Sequence, residues 1–167
     1  MSWDKYRPNI DPSRPVPIST PLYEAIQKFT SDKGCTTQDI FNSGMSVLYE
    51  IYTGKSNPLE LLDSESETKK VDSSLLEPKD QASSLKVRDI LLNNPLPKGN
   101  KNKRIFISFK GNGSYQWARA LEHRYFFSGI VNFIRRTMSW YLRENDYLSD
   151  IDNTNTNVIK QIQDQQT

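Results

Sequence analysis

Few residues in this chain can do chemistry, and their spacing excludes most catalytic arrangements. Cys35 is the one cysteine and His123 the one histidine among 167 residues. There is therefore no internal disulfide and no Cys/His cluster with zinc-site spacing, and a metal would have to be held by carboxylates alone. Cys35 follows Gly34 in a turn signal and has no second histidine or base pair to activate it, so it reads as structural. Lys110-Gly111-Asn112-Gly113 lacks both the spacing and the Gly-Lys-Ser/Thr ending of a phosphate-binding loop. Asn112-Gly113-Ser114 matches a glycosylation sequon, but without a secretion signal it reads as a turn and helix cap. The expectation is a protein that is not an enzyme and uses no cofactor or metal.

The cations carry more information. Net charge is +2, but it is distributed unevenly. Residues 1–56 balance six basic against six acidic side chains, while 57–100 and 148–167 are each net −2. Residues 101–147 hold nine basic side chains (Lys101, Lys103, Arg104, Lys110, Arg119, Arg124, Arg135, Arg136 and Arg143) against Glu122, Glu144 and Asp146, net +6. A basic segment interleaved with aromatics is an electrostatic footprint for phosphate, with a solvated basic face as the alternative. Apolar runs are too short for a membrane-spanning helix, and Met1-Ser2-Trp3-Asp4-Lys5 has no apolar signal core. A cytoplasmic location without a membrane partner is expected.

Two ordered units must position these cations. Residues 1–13, with Pro8 and Pro12, read as an arm, and the first unit covers 14–54. Val16 and Ile18 share one side of a short strand. A helix follows from Pro21 to about Lys33, with Leu22, Ala25, Ile26 and Phe29 on one face and Gly34 as its stop. Thr36 then caps a second helix, with Asp39 at the third position and Ile40, Gly44, Val47, Leu48 and Ile51 in its stripe. Residues 55–102 have the composition of a flexible linker, with the spacing of a short helix over 81–93 that carries Leu85, Ile90, Leu91 and Leu92. The second unit, 103–147, repeats the order. Its strand places Ile105, Ile107 and Phe109 on one face and Arg104, Phe106 and Ser108 on the other. One helix is capped by Ser114, and another, capped by Ser128, carries Ile130, Ile134, Met138, Tyr141 and Leu142. Asn153 to Asn157 and Gln161 to Gln166 make 148–167 a disordered polar tail. The fold class is α+β, mostly helical.

The two units align. Ile40, Leu48 and Ile51 fall on Ile130, Met138 and Tyr141 at an offset of 90, and Leu22, Ala25 and Ile26 fall on Trp117, Ala120 and Leu121. The second unit should therefore have a longer strand-to-helix turn and a shorter helix-to-helix turn. The stretch from Val16 through Pro17, Ile18, Ser19, Thr20, Pro21 and Leu22 to Ile26, followed by Gly34-Cys35-Thr36-Thr37 and a helix to Tyr52, resembles the ribbon-helix-helix family of DNA-binding proteins, the MetJ, Arc and CopG repressor type. The resemblance covers about forty residues there and, less closely, 103–144.

It implies that the two strands pair as an antiparallel ribbon over a four-helix core, an intramolecular pseudo-dimer formed from tandem units. It also implies double-stranded DNA as partner, with the outward ribbon face in the major groove. By position that face is Pro15, Pro17 and Ser19 with Arg104, Phe106 and Ser108, followed by Lys110. The starts of the last helices (Thr36 and Thr37; Ser128 and Gly129) would meet phosphates, with Arg135 and Arg136 on the basic surface. The implied role is a transcriptional repressor or plasmid-maintenance regulator. Two rivals stand beside it. One is a protein-interaction adaptor that binds through an aromatic surface. The other is a single-stranded nucleic acid or RNA binder that stacks bases on Phe106, Tyr115 and Trp117. Self-association, a protein partner and the first unit's contact with DNA are left open. Trp117, Tyr125, Phe126, Phe127, Phe133, Trp140 and Tyr141 are assigned to the core or to a partner-facing surface.

Overall fold

The computed structural model describes residues 13–55, 76–109 and 112–148. The arm, the polar tail and Lys110 lie outside them, except for residue 13 of the arm and residue 148 of the tail. The elements are β1 (Arg14–Ile18), α1 (Thr20–Lys33), α2 (Thr37–Thr53), α3 (Gln81–Asn93), β2 (Lys103–Ile107), α4 (Asn112–Tyr125) and α5 (Ile130–Glu144). Among the described residues the fold is α+β and mostly helical, with one two-stranded antiparallel sheet.

Neither strand can bury its apolar face alone, and each finds its partner in the other unit. The register pairs Arg14 with Ile107, Pro15 with Phe106, Val16 with Ile105, Pro17 with Arg104 and Ile18 with Lys103. Val16, Ile18, Ile105 and Ile107 are buried beneath the sheet, as strand alternation demands. Pro15 and Pro17 have no N–H to give to the ladder, and they sit where none is needed. The Pro17 carbonyl faces outward and accepts from Arg135 Nε at 2.8 Å, so the prolines occupy the non-bonded pairs of an edge strand.

Helices α1, α2 and α5 pack against the strands, and α4 packs against α5. α2 against α5 is the largest helix–helix contact, and each second helix also packs on the strand of the other unit, α2 on β2 and α5 on β1. The residues equated by the 90-residue offset behave alike: Ile40, Leu48, Ile130 and Met138 are buried, and Ile51 and Tyr141 are partly buried. Gly44 lies at the crossing, where a Cβ would stand 3.1 Å from both Thr137 Cγ2 and Tyr141 Cβ. Glycine inside a helix normally costs about 1 kcal/mol relative to alanine. Here the crowding reverses the sign, and Gly44→Ala is expected to lower the unfolding free energy by about 1 kcal/mol. The urea midpoint should fall, and a rise would show that α2 and α5 can part without penalty.

The sequence-based boundaries of the first unit hold to within one residue, α1 starting at Thr20 with Ser19 as N-cap where the sequence places the cap at Thr20 and the start at Pro21. α1 ends in Gly34 at φ 65°, and Thr36 and Asp39 form a reciprocal capping box. The second unit departs from expectation in three ways. α4 starts at Asn112, so Ser114 is a fully buried first-turn residue rather than the cap. α5 is preceded by Gly129 rather than Ser128 as N-cap. Its strand-to-helix turn is longer, as expected, but the helix-to-helix turn is 126–129 against 34–36 in the first unit, longer rather than shorter. Phe126 takes the left-handed position there, φ 57°, that Gly34 takes in the first unit.

The linker also needs correction. Within 76–102, α3 packs against both α2 and α5. It does so through Val87 and Leu91, with Leu85 among the exposed large apolar residues. Asp80 Oδ1 caps this helix by accepting from the Ser83 N–H at 2.7 Å, a bond that holds the Asp80 carboxyl below its ordinary pKa. The chain from 94 to 102 is then tied down at several points, described below. The flexible reading survives for no described part of this segment, and 56–75 lies outside the described residues.

Candidate functional site

The surface left by this packing is the outer face of the ribbon. Cross-strand pairing brings Pro15, Pro17, Arg104 and Phe106 onto one face. Phe106 is 59% exposed there, and Pro15 and Arg104 are also exposed. A large aromatic on an open sheet face beside a guanidinium is a costly arrangement for a surface without a partner. The approach to β2 adds Lys98, Lys101 and Lys103, all exposed. From 94 to 109 the sequence contains no Asp or Glu, and neither does 13–19. The sequence local to the ribbon thus carries cations and no carboxylate, an excess that favours an anionic partner.

The polar groups expected around this face divide sharply. Ser19 is turned inward, 5% exposed, with Oγ donating to the Pro97 carbonyl at 3.1 Å. It reads nothing, because the strap 94–102 covers the start of α1. Ser108 is half-buried, and its backbone is gripped by one side chain. Its N–H donates to Gln38 Oε1 at 2.9 Å and its carbonyl accepts from Gln38 Nε2 at 2.7 Å. The Gln38 amide thereby stands in for a further strand residue at the free edge of β2 and blocks extension of the sheet there.

The arginines of α5 are structural fasteners as placed. Arg135 binds the Pro17 carbonyl as noted, and Arg136 donates to the Asn94 carbonyl. Arg143 donates to Asn94 Oδ1 and, at 2.9 Å, to the Pro95 carbonyl. Desolvation pulls the pKa of Arg135 and Arg136 down from the ordinary guanidinium value. Of the basic candidates described, Arg104 is the one on the ribbon face.

The two expected phosphate-facing helix starts are unlike. At α2, Thr36 Oγ1 accepts from the Asp39 N–H at 3.1 Å and Asp39 Oδ2 accepts from the Thr36 N–H at 3.0 Å. A carboxylate thus already occupies that helix start, with Thr36 exposed and Thr37 half-buried. At α5 no side chain caps Gly129 among the described residues, and the first turn holds no acid. Ser128 is exposed beside it. The α5 start keeps the positive end of its dipole available, and α2 does not.

The aromatic assignments hold for most rings. Trp117, Phe127, Phe133 and Trp140 are buried, and Tyr125 and Tyr141 are packed against the core. Phe126 lies outside the core, 88% exposed in the turn before α5. Tyr115 packs edge-on to Phe109 at 5.3 Å beneath the Arg14 guanidinium, 5.2 Å from its ring.

Gln38, Asn94 and the strap lysine Lys98 were not picked out from sequence. Gln38 and Ser108 are 70 positions apart, and no local pattern links them. The run of cations without acids before β2 was the signal available for Lys98. No protein-family model matches the chain, no curated protein matches it, and no solved structure matches it.

Proposed function

We propose that this protein binds double-stranded DNA as a tandem ribbon-helix-helix pseudo-dimer within one chain and inserts the outer face of the β1–β2 ribbon in the major groove. The observation that carries this reading is the ribbon. Strands from two strand-helix-helix units, about 90 residues apart, pair with each other, bury one face and leave Arg104 and Phe106 exposed on the other. A two-stranded ribbon fits the major groove, and an arginine on its face can donate two hydrogen bonds to guanine O6 and N7. Lys98 and Lys101 supply phosphate-directed charge beside it, whereas Lys103 lies on the inward alternation with its ammonium 5.4 Å from the Tyr23 ring. A role as a cytoplasmic transcriptional or plasmid-maintenance repressor is the regulatory form of the same reading.

The test is binding of the full chain to random-sequence duplex across a salt series. Affinity should fall with salt, with a logarithmic slope of about −2 or steeper if Lys98 and Lys101 each neutralise a phosphate. Binding that is absent at low salt would sink the proposal. The adaptor reading is favoured by one observation, the nearly bare Phe126 ring. It predicts a protein complex whose affinity is insensitive to salt and is lost in Phe126→Ala. The single-strand reading keeps only Phe106 of its three rings on the surface, since Trp117 is buried and Tyr115 is covered by Arg14.

A further inference from the structure

We infer that the duplex recognised by this protein has no two-fold symmetry, because one strand of the ribbon carries the base-reading groups and the other carries none. The inference rests on the DNA reading proposed above and narrows its partner to a non-palindromic site.

Identical units in a symmetric dimer present the same side chains to each half of their site, so their sites are pseudo-palindromes. This chain is released from that constraint, and its two halves have diverged in chemistry. The face positions of β2 are Arg104 and Phe106, and their cross-strand partners are Pro17 and Pro15. A proline side chain has no donor or acceptor, and at most it touches a thymine methyl. The first unit has two other polar groups next to these positions, and both are turned away. Arg14 lies on the inward alternation and is held over the rings of Phe109 and Tyr115, at 5.9 and 5.2 Å. Ser19 is buried against Pro97.

The helix starts diverge in the same direction. The α2 start is closed by the Asp39 carboxylate, while among the described residues the α5 start has no side-chain cap and no acid in its first turn. A phosphate approaching the first helix start meets a carboxylate that the other lacks in its first turn. Ribbon face and helix starts thus give the same asymmetry from separate residues. A five-residue strand is about 17 Å long, the rise of about five base pairs, so the specified stretch is short and contains guanine for Arg104.

The experiment is repeated selection of a random-sequence duplex library on the full chain at low salt, followed by phosphate-ethylation interference on the winning duplex. The expected result is a non-palindromic consensus with an essential guanine and interfering phosphates concentrated on one side of it. Arg104→Ala should then lose discrimination at that guanine by about tenfold or more. The double variant Pro15→Ala, Pro17→Ala should change affinity by less than about twofold, with an unchanged melting temperature showing that its ribbon is intact. A palindromic consensus, a symmetric phosphate pattern, or retention of duplex without any enriched sequence overturns the inference while leaving DNA binding in place. Failure to retain any duplex sinks the DNA reading itself and the inference with it.

Discussion

Trp117→Ala is expected to lower the unfolding free energy by about 4 kcal/mol, enough to abolish most of the stability of a domain this size. Trp117 is fully buried at the point where both units meet. Its ring lies 5.1 Å from Tyr49 and 5.9 Å from Tyr52 of α2, and 6.2 Å from Phe133 of α5, each at a steep angle. Truncation leaves a cavity shared by three helices, and rings of this size cannot collapse to fill it. The same burial pushes the Tyr52 hydroxyl well above its ordinary pKa.

Trp117→Phe isolates the cause. The Trp117 Nε1 atom is buried without a hydrogen-bond partner among the described residues, so replacing the indole gives up no polar contact. The expected loss is under about 1.5 kcal/mol. Urea unfolding measures both variants. A Trp117→Ala protein that unfolds like the parent but loses affinity for single strands would overturn the core assignment and revive the stacking reading.

Arg104→Ala should weaken duplex binding by about thirtyfold, about 2 kcal/mol, at fixed salt. Its stability should stay within about 0.5 kcal/mol of the parent, because the side chain is exposed and away from the core. Arg135→Ala should do the reverse. It removes the donor to the Pro17 carbonyl, so the melting temperature falls while the salt slope of binding is retained. Titration of a labelled duplex alongside thermal unfolding separates the two arginines. Equal losses of affinity in both, at unchanged stability, would return the DNA contact to the α5 surface and remove the ribbon from the proposal.

The contrast between these arginines marks where sequence reasoning stops. Arg135 and Arg136 lie off the apolar stripe of Ile130, Ile134 and Met138, and helical periodicity therefore assigns them to the surface. They are instead half-covered by β1 and by the strap 94–102, which return from far along the chain. The strap looked like a linker for the same reason. Its polar, proline-containing composition has no period, and what fixes it is hydrogen bonding from Arg136, Arg143 and Ser19 rather than burial of its own apolar residues.

By itself the sequence determined the elements and their inner faces. Val16 and Ile18, Ile105 and Ile107 alternate, Leu22 to Phe29 and Ile130 to Leu142 follow the helical repeat, and Gly34 and the Thr36–Asp39 box stop and start helices within a few residues. Those signals are local, since backbone geometry and hydrogen bonding set them over one or two turns. Only the tertiary structure decided which polar groups remain outside. The pairing of Pro17 with Arg104, the grip of Gln38 on Ser108 and the capture of Arg135 by β1 join residues 70 or more positions apart. Such contacts follow from how the α2–α5 crossing orients two amphipathic units against each other, a choice made by core packing at Gly44 and Trp117 that no short window of sequence contains.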